Sequence, residues 1–351
     1  MFHFRQLSIL FVFLLLATAC SPATPVPVVP SQTAAPPQAT PTAPPVPTQT
    51  PLATSTSSPE PTAAPTYTEV PSPTPTVLGG GGGHIVFSST RGSGYLDLYT
   101  LNLSNGSVAR LTSAESNMFA GPVSPDGSLI LFTGFGVIHS YVGVFSPVTG
   151  ETMELTDQQN SDAGFPDWSP DGSQIVFTSN KDGNNEIYVM NADGTNVKRL
   201  TVNARDDFGP AWSPDGTKIV FVSDRGSGPM GVNHLYLMNA DGSNVTLLQS
   251  SAGIDYSPAW SPDGSQLAFR MDLNGQADIY VINVDGSGLV DLTNTEADEY
   301  YPAWSPDGKT IAFQTNRDGN WEIYSMQTDG SNQTNLTLNS VVDDEYPNWQ
   351  P

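Results

Sequence analysis

The chain is poor in the residues that several common chemistries require. One cysteine, Cys20, occurs in 351 residues, so no internal disulfide can brace the fold. Bases are scarce: 12 Lys+Arg face 35 Asp+Glu, for a net charge of −23 and a pI near 4.1. Residues 84–351 keep 11 of the bases and 33 of the acids, which leaves 11 − 33 = −22. Such a surface repels phosphates and excludes nucleic acid as a partner. The histidines are His3, His84, His139 and His234, and no two have metal-ligand spacing. No G-x-S-x-G nucleophile elbow occurs, nor a full twelve-residue calcium loop with its terminal Glu. Carboxylates abound, but abundance is not a site: an acid/base pair has to be assembled by geometry.

The N-terminus is a targeting segment. Arg5 supplies a short positive region, and Leu7 to Leu16 is apolar apart from Ser8. That run is too short for a membrane span. It ends in Ala17-Thr18-Ala19-Cys20. The arrangement resembles the lipobox of bacterial lipoproteins, with Ala17 where Leu is usual and Leu16 one place further away. The resemblance implies that residues 1–19 are a signal peptide and that Cys20 is the lipid attachment site and membrane anchor. The plain alternative is an ordinary secretory signal with Cys20 incidental. Residues 21–78 hold 17 of the 31 prolines, with Glu60 and Glu69 as their charges. This composition cannot bury a core. Residues 20–83 are therefore expected to be a disordered, Pro/Thr-rich tether.

The rest of the chain repeats. "PAWSPDG" occurs at 210–216, 258–264 and 302–308, "PDWSPDG" at 166–172 and "PVSPDG" at 122–127. Trp168, Trp212, Trp260, Trp304 and Trp349 are spaced by 44, 48, 44 and 45 residues. Each tryptophan strand is followed by an apolar run such as IVF or IAF, a variable loop, a second run such as EIYVMN, a DG turn and a segment often ending in Leu-Thr. Short runs of Val, Ile, Phe and Tyr between Gly, Asp, Asn and Pro read as strands. Pro-Asp-Gly is a tight turn. Four strands cannot bury both faces alone, and stacking them radially at about 40–50 residues per unit is the β-propeller solution. A tryptophan at one fixed place per unit suits a wedge between blades.

The pattern W-S-P-D-G-x-x-I-A-F … R-x-G-x-x-E-I-Y-x-M-x-x-D-G resembles the TolB-like, or PD40 (WD40-like), propeller repeat over residues 84–351. The resemblance implies the fold. It does not carry over the Tol–Pal role, because the α/β domain that precedes the propeller in TolB is replaced here by signal and linker. The first unit, from His84, lacks a tryptophan strand, and Tyr346 to Trp349 form an orphan one. Joining the two predicts an all-β, six-bladed propeller of four-stranded antiparallel blades, closed by the C-terminal strand. Blade 2 is degenerate, with Val123 in place of Trp and "GFGVIHSYVGVF" in place of the charged loop.

Alternating strands sort the loops onto two faces. One carries the DG turns, whose aspartates are explained by turn chemistry. The other carries acids just ahead of each tryptophan strand: Asp162; Asp206 and Asp207; Asp255; Asp298 and Glu299; Asp343, Asp344 and Glu345. Blade 2 has Met118 and Phe119 there. Asp162, Asp206, Asp255, Asp298 and Asp343 are the candidate binding residues, expected to ring the channel mouth and to hold a calcium ion, a basic segment of a partner, or nearby bases such as Arg205. Cross-hairpin ion pairs are expected for Arg91/Asp97, Lys181/Glu186 and Arg317/Glu322.

These observations point to a non-catalytic binding or scaffolding propeller, monomeric, extracytoplasmic and lipid-anchored on the bacterial cell envelope, with an envelope protein or glycan as partner. The alternatives are a lyase or hydrolase of extracellular polysaccharide or peptide, and an envelope-assembly accessory lipoprotein related to TolB.

Overall fold

A computed structural model describes residues 83–351, apart from 93, 227–230, 249–252 and 340. The signal peptide, Cys20 and nearly all of the tether lie outside the described residues. The described chain forms six antiparallel sheets of four strands each. The innermost strands are Asp344–Trp349, Met118–Val123, Ala163–Trp168, Asp207–Trp212, Ile254–Trp260 and Glu299–Trp304, for blades 1 to 6. Each touches the next, and the last touches the first, so they ring the axis.

Blade 1 is completed by the C-terminus, as the missing strand predicted. Asp344–Trp349 pairs with His84–Ser89, with Ile85 opposite Trp349 and Ser89 opposite Asp344. The amide of Gln350 donates to the His84 carbonyl at 3.1 Å, and that of Thr90 to the Asp343 carbonyl at 3.2 Å. Closure leaves no unpaired inner edge.

Burial follows the radius. The second strands are buried almost end to end, as in His84–Ser89 and Gln174–Ser179. Both of their faces are covered by neighbouring blades, so they read as continuous apolar runs. The outermost strands have two to four residues and are largely exposed, as in Thr152–Glu154. The tryptophans act as wedges. Trp168 packs with Leu131, Val142 and Val144 of blade 2, and Trp304 with Ala268 and Ile279 of blade 5. Trp260 Nε1 donates to the Ala211 carbonyl at 3.1 Å, and Trp349 Nε1 to that of Ala303 at 3.0 Å.

The DG turns behave as turn chemistry requires. In blade 3 the Ser169 hydroxyl and the Ser173 amide both donate to Asp171 Oδ1, at 2.6 and 3.0 Å. Those hydrogen bonds, the Ser169 hydroxyl first, hold the Asp171 carboxyl down at about 2. Gly172 takes φ +70°, which glycine adopts without steric cost.

Candidate functional site: the axial mouth

The face opposite the DG turns is built from one repeated row across each blade. Five residues before the tryptophan, the innermost strand offers Ala163, Asp207, Asp255, Glu299 or Asp344, with Met118 in blade 2. In the registers of blades 1, 4 and 6 this residue faces Ser89, Ser223 or Thr315, which in turn faces Asp97, His234 or Glu322. The four acids of the innermost row are buried, at 1% exposure or less.

The loop bases curl back over this innermost row rather than onto the third strand. Arg91 pairs with Asp344, Arg225 with Asp207 and Arg317 with Glu299. The expected pairs Arg91/Asp97, Lys181/Glu186 and Arg317/Glu322 are therefore corrected. Asp97 instead takes Arg110 and Glu186 takes Arg199, both at 2.6 Å and both from outermost strands. Glu322 is held by the Thr337 hydroxyl at 2.5 Å and the Asn339 amide at 2.9 Å. Lys181 Nζ stands 4.5 Å above the Tyr188 ring. The inner carboxylates are fully buried while the arginines stay partly exposed, so the pairing supplies the opposite charge that burial of an acid demands.

The candidate rim acids divide. Asp162, Asp206, Asp298 and Asp343 share one place, six residues before the tryptophan, and are half-buried. Asp255 stands one residue later, in the buried row, with His234 Nδ1 at 3.4 Å from its carboxylate. Three of the four half-buried acids clamp the preceding blade. Asp162 Oδ1 accepts from the Ser140 amide at 3.0 Å, Asp206 Oδ1 from the Asn185 amide at 2.8 Å, and Asp343 Oδ1 from the Trp321 amide at 3.1 Å. Asp298 exchanges hydrogen bonds with the side chain of Asn316, at 3.1 and 3.4 Å. Burial, then the charges of Asp224 and Glu186, push the Asp206 carboxyl up against the Asn185 amide. These acids form an acidic rim without converging on one point. Among the described residues no three His, Cys, Asp or Glu side chains group as a metal cage.

Inside the rim lies a belt of aromatics that the acid-centred reading missed. Phe119 stacks on Tyr346 at 4.4 Å between ring centres, and Tyr346 lies 4.4 Å from Tyr301. Tyr301 meets Tyr300 edge-on, and Tyr300 lies 4.9 Å from Trp321. The Arg270 guanidinium sits 3.8 Å over Tyr300 and 4.7 Å over Tyr256 while paired with Asp272. Tyr256 continues to Phe208 at 6.2 Å. The belt thus runs through blades 2, 1, 6, 5 and 4, and Phe165 of blade 3 is 40% exposed. The signal was present in the sequence: a Phe or Tyr three or four residues before the tryptophan in every repeat that has one.

The same segment carries a backbone irregularity. Three residues before the tryptophan, Phe165, Gly209, Ser257, Tyr301 and Tyr346 take φ between +50° and +59°, beside a bulge in each strand. Side chains rarely adopt this region, and its retention by Phe and Tyr marks a place where surrounding structure dictates the backbone. Amides at this level bond across to the preceding blade: Ala120 to Ser88 Oγ, Phe165 to Thr133 Oγ1, Gly209 to Thr178 Oγ1 and Tyr346 to Gln314 Oε1, at 2.7 to 3.1 Å. At the two remaining junctions the acceptor's place is taken by Val222 and Arg270, which have no side-chain oxygen. Arg270 is where the repeat gives up a structural hydrogen bond for a cation in the belt.

Two further carboxyls near the axis are pushed up to about 7, both chiefly by burial. Glu345 is also raised by Asp343. Asp167 is opposed by the amides of Trp212 and Trp168, which it accepts at 2.7 and 2.9 Å. Asp167 is thereby committed to joining blades 3 and 4.

The TolB beta-propeller domain (PD40) model matches the chain twice, over residues 142–254 and 235–351. Over 120 residues the chain is 32% identical to the Tol-Pal system protein TolB of Anaeromyxobacter dehalogenans and 34% identical to the TolB homolog of Chlorobaculum tepidum. Each match covers 34% of this chain and 27% of the relative, so it spans about a quarter of those proteins. The crystal structure of TolB from Acinetobacter baumannii superposes with a TM-score of 0.68 at 24% identity, over 77% of this chain and 67% of that one. At that identity the likeness is one of fold.

Proposed function

The chain belongs to the TolB β-propeller family, and from that premise we propose that it is a non-catalytic binding module of the extracytoplasmic envelope that seats a basic segment of a protein partner at its axial mouth. Tethering through a lipid on Cys20 belongs to the same reading. The observation that carries it is the mouth itself. An acidic rim surrounds an aromatic belt that already stacks a guanidinium, Arg270, between Tyr256 and Tyr300. Cations are attracted to the faces of such rings, and more so when desolvated. The charge of −22 on residues 84–351 steers a basic partner toward it. The rim acids serve twice, since the carboxylates that clamp the preceding blade stay partly exposed.

The test is capture from envelope extract on the immobilised full-length protein, beside an Asp298→Asn, Asp343→Asn, Glu345→Gln variant. A basic protein retained by the parent, released by salt and lost on the variant is the expected result. Salt release follows because exposed charges are screened within about 10 Å at 0.1 M. Equal retention by the variant sinks the proposal, and so does retention of glycan alone.

A further inference from the structure

Blade junctions bring the residue just before the first Ile of one blade's third strand (Ile187, Ile279 or Ile323) toward the innermost acid of the next. At three junctions both are carboxylic acids: Glu186 with Asp207, Asp278 with Glu299, and Glu322 with Asp344. All are at most 5% exposed. Two buried like charges cannot stay together without donors between them.

At two of these junctions an asparagine supplies the donors. Asn203 Nδ2 donates to Glu186 Oε2 at 3.4 Å and to Asp207 Oδ2 at 2.8 Å. Asn339 Nδ2 donates to Glu322 Oε2 at 3.4 Å and to Asp344 Oδ2 at 2.6 Å. The third junction has Thr295 in the equivalent place. Its amide donates to Asp278 Oδ1 at 3.2 Å, as those of Asn203 and Asn339 donate to Glu186 and Glu322, both at 2.9 Å. But a threonine hydroxyl has one proton, and it goes to Glu299 Oε1 at 2.8 Å. Thr315 and Arg317 also donate to Oε1, at 3.0 and 2.9 Å. Glu299 Oε2 is buried and has no partner among the described residues. Asp207 Oδ1 also lacks one, but that carboxylate already shares Asn203 with Glu186.

We propose that Asp278 and Glu299 share one proton, carried on Glu299 Oε2 and donated to Asp278, as a pH-sensitive latch between blades 5 and 6. Burial pushes both carboxyls above the usual carboxylate range, and a hydrogen bond from the Glu299 side chain opposes that rise at Asp278. A cation is a poor substitute, because calcium takes about 6–8 oxygens and two carboxylates fall short. The charged and titratable groups around the pair are Arg317 on the adjoining loop, Asp291 with its partner Tyr280 on blade 5, Asp298 just before Glu299, Glu322 across the blade and Arg270 beside Tyr300. Arg317 opposes proton uptake by Glu299, and Asp291 favours it on Asp278. An open depression lined by Thr295, Glu296, Ala297, Asn316 and Arg317 reaches the two side chains, Thr295 and Arg317, that donate to Glu299. Losing the proton leaves two negative charges facing each other, one of them on the residue just before Tyr300. The latch stands whether or not the mouth binds a basic segment.

Both carboxyls are raised, so the folded chain holds a proton that the unfolded chain releases. The stabilisation is full below the unfolded value and is lost as pH rises through the folded one. Glu299→Gln replaces the proton by a permanent amide donor, Asp278→Asn does the same from the other side, and Thr295→Asn restores the bridge used elsewhere. The experiment takes difference infrared spectra of the full-length protein, following the carbonyl stretch of protonated carboxyls, with thermal melts from about pH 5 to about pH 8. Glu299→Gln and Asp278→Asn should each remove one carboxyl that stays protonated above the usual carboxylate range and flatten the fall of the melting temperature. Thr295→Asn should weaken the band by the same one carboxyl while keeping both acids. Because Asp167 and Glu345 also hold protons up to about 7, a band no weaker in Glu299→Gln and Asp278→Asn than in the parent, or melting temperatures that fall in parallel with the parent, overturns the proposal.

Discussion

Arg91 and Asp344 are 253 positions apart in the chain, yet Arg91 Nε donates to Asp344 Oδ1 at 3.2 Å where the ring closes. Asp344 is fully buried and the Arg91 side chain is 24% exposed. The first complete hairpin of the propeller is therefore held by its last strand. A chain ending at Asn339 is predicted to lose several kcal/mol, the scale of removing multiple buried side chains, which is much of a typical domain's stability. Thermal melts of the truncated and full chains check this. Midpoints within a degree or two of each other would show that closure contributes little.

The hydrogen bonds between blades give a prediction of defined sign. Thr178→Val removes the acceptor of the Gly209 amide, which is 3.0 Å away, with little change in shape. Leaving a fully buried donor unpaired costs about 1–3 kcal/mol, and for the part-buried Gly209 the loss should lie at the lower end, about 1 kcal/mol. Urea unfolding should show that loss with an unchanged slope. A variant as stable as the parent would mean that water replaces the hydroxyl.

The positive-φ residues of the innermost strands allow an unusual comparison. Tyr301 takes φ +51°, and blade 4 has Gly209 at φ +59° in the same place. Tyr301→Ala and Tyr301→Gly both delete the ring contact with Tyr346, but only glycine relieves the backbone. The glycine variant is predicted to be the more stable by about 1–2 kcal/mol, against the usual order. Equilibrium denaturation of both variants decides it, and alanine the more stable would show that the bulge carries no strain.

Stability should fall with rising pH through the neutral range. Asp167 and Glu345 are each pushed up to about 7, chiefly by burial, and Asp207 to about 6 despite Arg225. For a raised carboxyl the folded form keeps its proton longer, so its stabilisation is present at low pH and lost as pH rises through the folded value. Melting temperatures between about pH 5 and about pH 8 should decline in the parent and decline less in Asp167→Asn. Parallel curves would show that Asp167 ionises freely in the fold.

The sequence by itself determined the architecture. Trp168 to Trp349 recur at a blade's length, and the missing strand ahead of Ile85 together with the orphan strand at Tyr346 requires ring closure. Asp171 and Gly172 specify their turn locally. These are properties of one repeat, and a repeat is written along the chain. The partners of the charges were decided only by the tertiary structure. Arg317 faces Glu299 rather than Glu322, Asp255 falls in the buried row rather than on the rim, and Tyr346 stacks between Tyr301 and Phe119. Residues of one blade meet those of the next through radial order and loop tilt, which no spacing within a repeat encodes. The absence of an asparagine at Thr295 is visible in the sequence, but that it leaves two acids facing each other is a fact of the folded junction alone.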